Sequence, residues 1–196
     1  MPDAPHELHV LVLAAGGSSR FGSPKQLVRF NGRPLLHAAV TRAVEAAGHA
    51  VTVVLGANAA ELAPLLRHSP ASIAINRQWP EGLASSIRAG VTQLPGTADA
   101  VLIMLADQPL VTSEDLRRLI STARRNPTSV VAALYDGTVG VPAVFPRQCF
   151  RELGELRGDQ GARALLHRFG ADLVRLPMPD AAVDIDTPED LLRLDQ

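Results

Sequence analysis

The chain has 196 residues, 46% hydrophobic and 20% charged, with a formal net charge of -1, which suits one substantial core and a single domain spanning residues 1–196. Its Lys and Arg are scattered, which argues against a nucleic-acid partner needing a basic excess or stripe. Its single cysteine, Cys149, excludes an internal disulfide framework and a Cys-rich metal site, and cytoplasmic residence is expected.

Residues 1–9 lack a basic stretch followed by an apolar one, so no signal peptide is expected, and residues 1–8 are expected to be flexible. No apolar run approaches the roughly 18 residues that span a bilayer. Val10 to Ala14 reads as a buried first strand and opens into the glycine-rich stretch Ala15 to Gly22. Leu27 to Phe30 is extended, Asn31-Gly32 a turn, and Pro34 to Ala47 a helix closed by Gly48. Val51 to Leu55 is the second strand, Ala59 to Arg67 a helix, Ile73 to Ile75 the third strand, and Gly82 to Leu94 a helix with a small-residue face. Val101 to Leu105 is apolar throughout, hence central, and runs into Asp107-Gln108-Pro109; Thr112 or Ser113 caps the next helix.

In the final third, Ser129 to Leu134 and Val139 to Phe145 flank Asp136-Gly137, a hairpin signal that adds an antiparallel strand. Helices around Gln148 to Leu156 and Ala162 to Phe169 follow, then a strand over Leu173 to Leu176. Val183-Asp184-Ile185-Asp186 leads into Thr187-Pro188-Glu189-Asp190, a capping box with Pro at the first helical position. Alternating strands and helices predict an α/β fold: a Rossmann-like three-layer sandwich, mostly parallel, with an antiparallel hairpin near its end.

The run Leu13-Ala14-Ala15-Gly16-Gly17-Ser18-Ser19-Arg20-Phe21-Gly22-Ser23-Pro24-Lys25-Gln26 suits a nucleoside triphosphate. Its glycines let the backbone approach phosphate oxygens, and Arg20 and Lys25 offset charge that amides alone cannot. It is not a P-loop, because Ser23-Pro24 stands where Lys-Ser/Thr is required, and it is not a dinucleotide fingerprint, because its glycines are adjacent and the second strand ends at Leu55-Gly56 without an acid.

Asp107 follows an apolar strand, where α/β sheets bind ligands, although Asp also suits a turn before Pro109. Asp186 shares a face with Asp184 in an extended segment and also suits a structural place near a helix cap. Two carboxylates beside a triphosphate are the hard oxygen ligands that Mg²⁺ prefers. In Asn76-Arg77-Gln78-Trp79-Pro80-Glu81-Gly82-Leu83-Ala84-Ser85-Ser86-Ile87, a helix start beside the sole Trp suits an anion or a polar heterocycle, and equally a Trp buried in the core with small serines packing a helix. Arg157-Gly158-Asp159-Gln160-Gly161-Ala162-Arg163 suits a phosphate on a second substrate, or a solvated loop. Neither an H-E-x-x-H pair nor a G-x-S-x-G elbow is present, so covalent catalysis is not expected.

These segments, with Leu105-Ala106-Asp107-Gln108-Pro109, Gly140-Val141-Pro142 and Asp184 to Asp190, resemble the molybdenum cofactor (molybdopterin) cytidylyltransferase family within the nucleotidyltransferase superfamily, over nearly the whole chain. The resemblance implies Mg²⁺-dependent transfer of CMP from CTP to the terminal phosphate of molybdenum-bearing molybdopterin, with release of pyrophosphate. It implies that Leu13, Ala14, Ala15, Gly16, Gly17, Ser18, Arg20, Lys25 and Asp107 bind the nucleotide, with Arg20, Lys25 and Asp107 catalytic. Asp107 and Asp186 would hold the metal. Asn76, Trp79, Glu81, Gly82, Ser85, Ser86, Gly140, Pro142, Arg157, Asp159 and Arg163 would receive the pterin substrate. Related guanylyltransferases are similar but carry Gly at the position of Ala15, so CTP is favoured over GTP.

The resemblance also implies an apo-molybdoenzyme of the xanthine dehydrogenase type as a partner, with no nucleic acid and no membrane. Three alternatives stand beside it: transfer to another phosphorylated small molecule, a non-catalytic carrier or insertion chaperone for the molybdenum cofactor, and a reductase using a nicotinamide cofactor. The missing ribose-binding acid weighs against the last.

Overall fold

The computed structural model describes residues 7–18, 21–159 and 161–194. Seven strands build the main sheet: β1 (Leu8–Ala14), β4 (Val51–Leu55), β5 (Ser72–Ile75), β6 (Ala100–Leu105), β7 (Val131–Tyr135), β8 (Thr138–Pro146) and β9 (Val174–Pro177). They lie in the order β5-β4-β1-β6-β8-β7-β9. A small antiparallel pair, β2 (Arg29–Phe30) and β3 (Arg33–Pro34), turns at Asn31-Gly32.

Period-two alternation assigns side chains to two faces. From β1, Val10, Val12 and Ala14 enter one core with residues of α1 (Leu35–Ala47), α2 (Ala59–Leu62) and α4 (Ser113–Arg125). Leu11 and Leu13 enter the opposite core with α3 (Leu83–Val91), α5 (Phe150–Glu155) and α6 (Gly161–Phe169). The result is the three-layer α/β sandwich expected. β6 is central, paired in parallel with β1 and antiparallel with β8. The antiparallel hairpin β7–β8 turns at Asp136-Gly137, where both residues have positive φ.

The chain leaves β1 on one side for β4 and β5, then returns through α3 to β6 on the other side. Adjacent connections therefore run in opposite directions beyond β1 and β6, and a crevice opens at their carboxyl ends.

Several boundaries differ from expectation for local reasons. β1 begins at Leu8, because Leu8 pairs with Ala100 and is buried. The helix expected over Ala59 to Arg67 is α2 followed by a tighter turn over Ala63–Leu66, where Pro64 removes an amide donor. The stretch entering α5 is likewise a tight turn over Arg147–Cys149. No helix among the described residues is long and apolar enough to cross a membrane.

Thr112 caps α4 as expected: its hydroxyl accepts from the Asp115 amide, and the Asp115 carboxylate accepts from the Thr112 amide in return. Thr112→Ala is expected to cost about 1 kcal/mol, read as a lower urea midpoint with an unchanged slope.

Candidate active site

The crevice holds a cavity of about 390 Å³, within the range of small-molecule sites. Its walls are the end of β1 and the glycine loop (Leu13 to Gly17), the end of β6 with Asp107, the turn from Trp79 to Leu83, and Asp159. Lys25 and Ser86 also line it.

Two carboxylates distant in sequence converge on Lys25, Asp107 within the cavity lining and Asp186 outside it. The Lys25 ammonium lies 2.5 Å from Asp107 Oδ2 and 2.6 Å from Asp186 Oδ1. What brings Asp186 across is a backbone bond, the Ile185 amide donating to the Asp107 carbonyl at 3.0 Å, with Ile185 fully buried. The Asp107 turn is itself clamped. The Gln108 side-chain amide donates to the carbonyls of Val141 and Ala181, and Arg42 on α1 donates to the carbonyls of Pro109 and Gln108. Arg42 stands in no motif, and nothing in its helix distinguishes it; its reach to the turn arises from the packing of α1 against β1 and α4.

Electrostatics at this point favour a cation. Burial works against the Lys25 charge, but Asp107 and Asp186, through charge and hydrogen bonds, overcome it and hold the ammonium above the ordinary lysine range. Burial, then the neighbouring Asp107 and Asp186, push the Asp184 carboxyl up to about 7, against the pull of Lys25. Asp107 Oδ1 is buried with no hydrogen-bond partner. No cluster of three or more His, Cys, Asp or Glu side chains among the described residues forms a complete metal cage. A hard cation that keeps waters and uses phosphate oxygens needs only one or two protein carboxylates, and the orphaned Asp107 oxygen beside Asp186 fits that requirement.

The glycine loop is held from outside by close approach. A Cβ on Gly56 would lie 2.6 Å from the Ala15 carbonyl oxygen and 2.7 Å from Trp79 Cβ, so only glycine fits there. One on Gly17 would lie 3.2 Å from the Trp79 ring. Trp79 is 37% exposed and lines the cavity, so the core reading of this residue does not hold. Arg20 lies outside the described residues.

The expected acceptor residues divide. Trp79, Gly82, Ser86 and Asp159 line the cavity, and Gly82 has φ +98 with Asp159 pressed where a Cβ would stand. The Ala84 amide donates to the Gly158 carbonyl, which joins the two expected motifs physically. Asn76 and Ser85 are buried instead in a shared network, with the Asn76 side-chain amide donating to the hydroxyls of Ser85 and Ser86. Glu81 pairs with Arg88 at 2.6 Å, and Arg88 also donates to the Leu156 carbonyl, so it ties the Trp79 turn to the approach of the Gly158 loop. Gly140, in β8, accommodates the Tyr135 hydroxyl; Val141-Pro142 is a cis peptide; Arg163 donates to the Thr138 hydroxyl, and Arg157 to the Leu156 carbonyl. These four residues, Gly140, Pro142, Arg157 and Arg163, stand outside the cavity lining. Burial, followed by Glu152, pushes the Cys149 thiol up to about 11, which leaves it no nucleophilic role near neutral pH.

A glycine loop at a topological switch point, opposite Asp107 at the end of β6 and Asp186 just before the last helix, defines a nucleotidyltransferase-type site. The comparisons agree: residues 10–173 match the MobA-like NTP transferase domain, and the chain belongs to that family. It is 30% identical to nicotine blue oxidoreductase from Paenarthrobacter nicotinovorans, over 94% of each chain. It is 32% identical to the purine catabolism protein PucB from Bacillus subtilis, over 91% of each. The crystal structure of Rv0371c from Mycobacterium tuberculosis superposes with a TM-score of 0.85 at 30% identity, covering 97% of this chain and 98% of that one. Rv0371c has also been solved in complex with manganese.

Gly56→Ala is expected to destabilise the chain by about 1–3 kcal/mol through overpacking and to displace Trp79. Urea unfolding and a shift in tryptophan emission would register both effects.

Proposed function

We propose that this chain transfers CMP from CTP to the terminal phosphate of molybdenum-bearing molybdopterin, releasing pyrophosphate. The observation that carries the nucleotidyl-transfer part is the meeting of Lys25, Asp107 and Asp186 at a cavity walled by the glycine loop. Phosphate oxygens would rest on the loop amides, and the Lys25 ammonium would follow the charge that develops on the leaving pyrophosphate. An acceptor phosphate is already ionised, so no strong general base is required, and the described residues of the site offer none beyond its carboxylates. Asp107 and Asp186 would hold a divalent ion, Mg²⁺ or Mn²⁺; when bound, it supplies charge neutralisation of the phosphate oxygens. Arg20 would add a guanidinium by its place in the motif.

The cytidine and pterin parts rest on the resemblance. Two features support them. Ala15 carries a methyl in the cavity wall where related guanylyltransferases have none, and Trp79 and Asp159 offer an aromatic face and an acceptor on the side where the second substrate would enter. The product would pass to an apo-molybdoenzyme.

Calorimetric titration is expected to give tighter binding for CTP than for GTP, and only with Mg²⁺ or Mn²⁺. Pyrophosphate release should require CTP, the metal and the molybdenum-bearing pterin together. GTP outcompeting CTP would remove the cytidine assignment, and absence of turnover with every phosphorylated acceptor tried would remove the transferase. Asp107→Asn should lower the rate by about 100-fold or more with an unchanged circular dichroism spectrum.

A second reading, reduction with a nicotinamide cofactor, is favoured by the name of the Paenarthrobacter nicotinovorans relative. Oxidation of NADPH in the presence of a pigment acceptor, unaffected by Asp107→Asn, would establish it in place of the first.

A further inference from the structure

A side chain without an assigned role packs against the glycine loop at the cavity wall. Gln26 is 3% exposed, and a buried primary amide is costly unless its hydrogen bonds are made. Here they are. Its amide nitrogen donates to the carbonyls of Ala14 at 3.1 Å and Gly16 at 2.9 Å, and its oxygen accepts from the Ser18 hydroxyl at 3.2 Å. The Ser18 hydroxyl oxygen in turn accepts from the Lys25 amide at 3.1 Å. One side chain therefore grips alternate carbonyls of the loop and, through Ser18, the segment that carries the cavity's lysine.

The consequence follows from peptide geometry. In a planar trans peptide the carbonyl and the next N–H point in opposite directions. Turning the carbonyls of Ala14 and Gly16 onto Gln26 aims the N–H groups of Ala15 and Gly17 the other way. Both residues line the cavity, and neither N–H donates to another described residue. Two unspent donors two residues apart form an anion-binding concavity. A loop with adjacent glycines would otherwise sample many backbone conformations, and the two carbonyl bonds select one of them.

We propose that Gln26, although it reaches the cavity wall, is the positioning residue of the phosphate cradle: it acts through the loop carbonyls it binds, and so fixes the Ala15 and Gly17 amides as donors to the nucleotide's phosphates. This rests on the nucleotide reading above. It makes two demands on position 26 that packing alone would not. Leu would fill the space without donating, and Glu would keep the shape while facing the two carbonyls with a carboxylate, which repels them.

The test uses the full chain and its single tryptophan, which lines the cavity and reports occupancy by quenching. Wild type, Gln26→Leu and Gln26→Glu are titrated with CTP, with pyrophosphate and with cytidine, all with Mg²⁺. Both variants are expected to bind CTP and pyrophosphate about tenfold more weakly, the loss of roughly one charge-assisted hydrogen bond, with cytidine affinity within about twofold of wild type. A folded variant that binds CTP like wild type overturns the proposal, as does an equal loss for cytidine, which would mark a merely structural role. Because a variant can fail to fold, the wild type labelled with ¹⁵N supplies a second readout: the Ala15 and Gly17 amide resonances should shift on saturation with pyrophosphate. If they stay put, the proposal falls. Wild type failing to respond to any nucleoside triphosphate would sink the nucleotide reading itself and this proposal with it, whereas a responding wild type with unaffected variants sinks only the role of Gln26.

Discussion

A single ammonium group between two carboxylates organises the crevice. Lys25, Asp107 and Asp186 come from the start, middle and end of the chain, and no side-chain attraction alone would gather them from an unfolded ensemble. The folded backbone does so first. β1 and β6 pair in parallel, their carboxyl ends fall side by side, and the Ile185 amide bonds the Asp107 carbonyl, which sets Asp186 beside Asp107. The carboxylates then face Lys25, with Lys25 and Asp107 mostly buried, where solvent screens their attraction little, and Asp186 half exposed. The raised Asp184 carboxyl reflects the same crowding, with burial as its main cause. An excess of negative charge at such a point is best relieved by a divalent ion.

The opposite wall is built on different physics. It contains no ion pair directed at a ligand; it is a set of close contacts and backbone bonds. Gly56 lets Trp79 approach the glycine loop, Gly82 admits Asp159, and the Gly158 carbonyl accepts from the Ala84 amide. Arg88 fastens this wall to the end of α5. The result is a face of fixed shape opposite a face of concentrated charge, an arrangement suited to holding a flat heterocycle or a second substrate while phosphate chemistry proceeds across the cavity.

Much of this was legible in the residues, and what was legible has a common character. Buried strands such as Val51–Leu55 and Ala100–Leu105 announce themselves as apolar runs, the Asp136-Gly137 turn by its dipeptide, and the α4 cap by Thr112 and Asp115. Each is a local preference that tertiary contacts reinforce. Asp107 and Asp186 could be singled out because they follow apolar strands or precede a capped helix. Trp79 was ambiguous, since an aromatic beside glycines packs as well in a core as in a cleft; its place in the cavity depends on Gly17 and Gly56, which lie far from it in sequence. Asn76 and Ser85 look like ligand-binding polar residues in the motif, yet satisfy each other internally. Arg42 and the Gln26 amide nitrogen carry no signal of their own, because they donate to backbone carbonyls, which every residue possesses.

By itself, then, the order of residues determined the layering of the sheet, the position of its turns and caps, and the chemical types gathered near the strand ends, because these depend on hydrophobic period and local backbone preference. Only the tertiary structure decided which polar side chains face the cavity and which are consumed in holding it open. That division depends on distances between segments remote in the chain, and on hydrogen bonds to main-chain carbonyls that no side-chain pattern encodes.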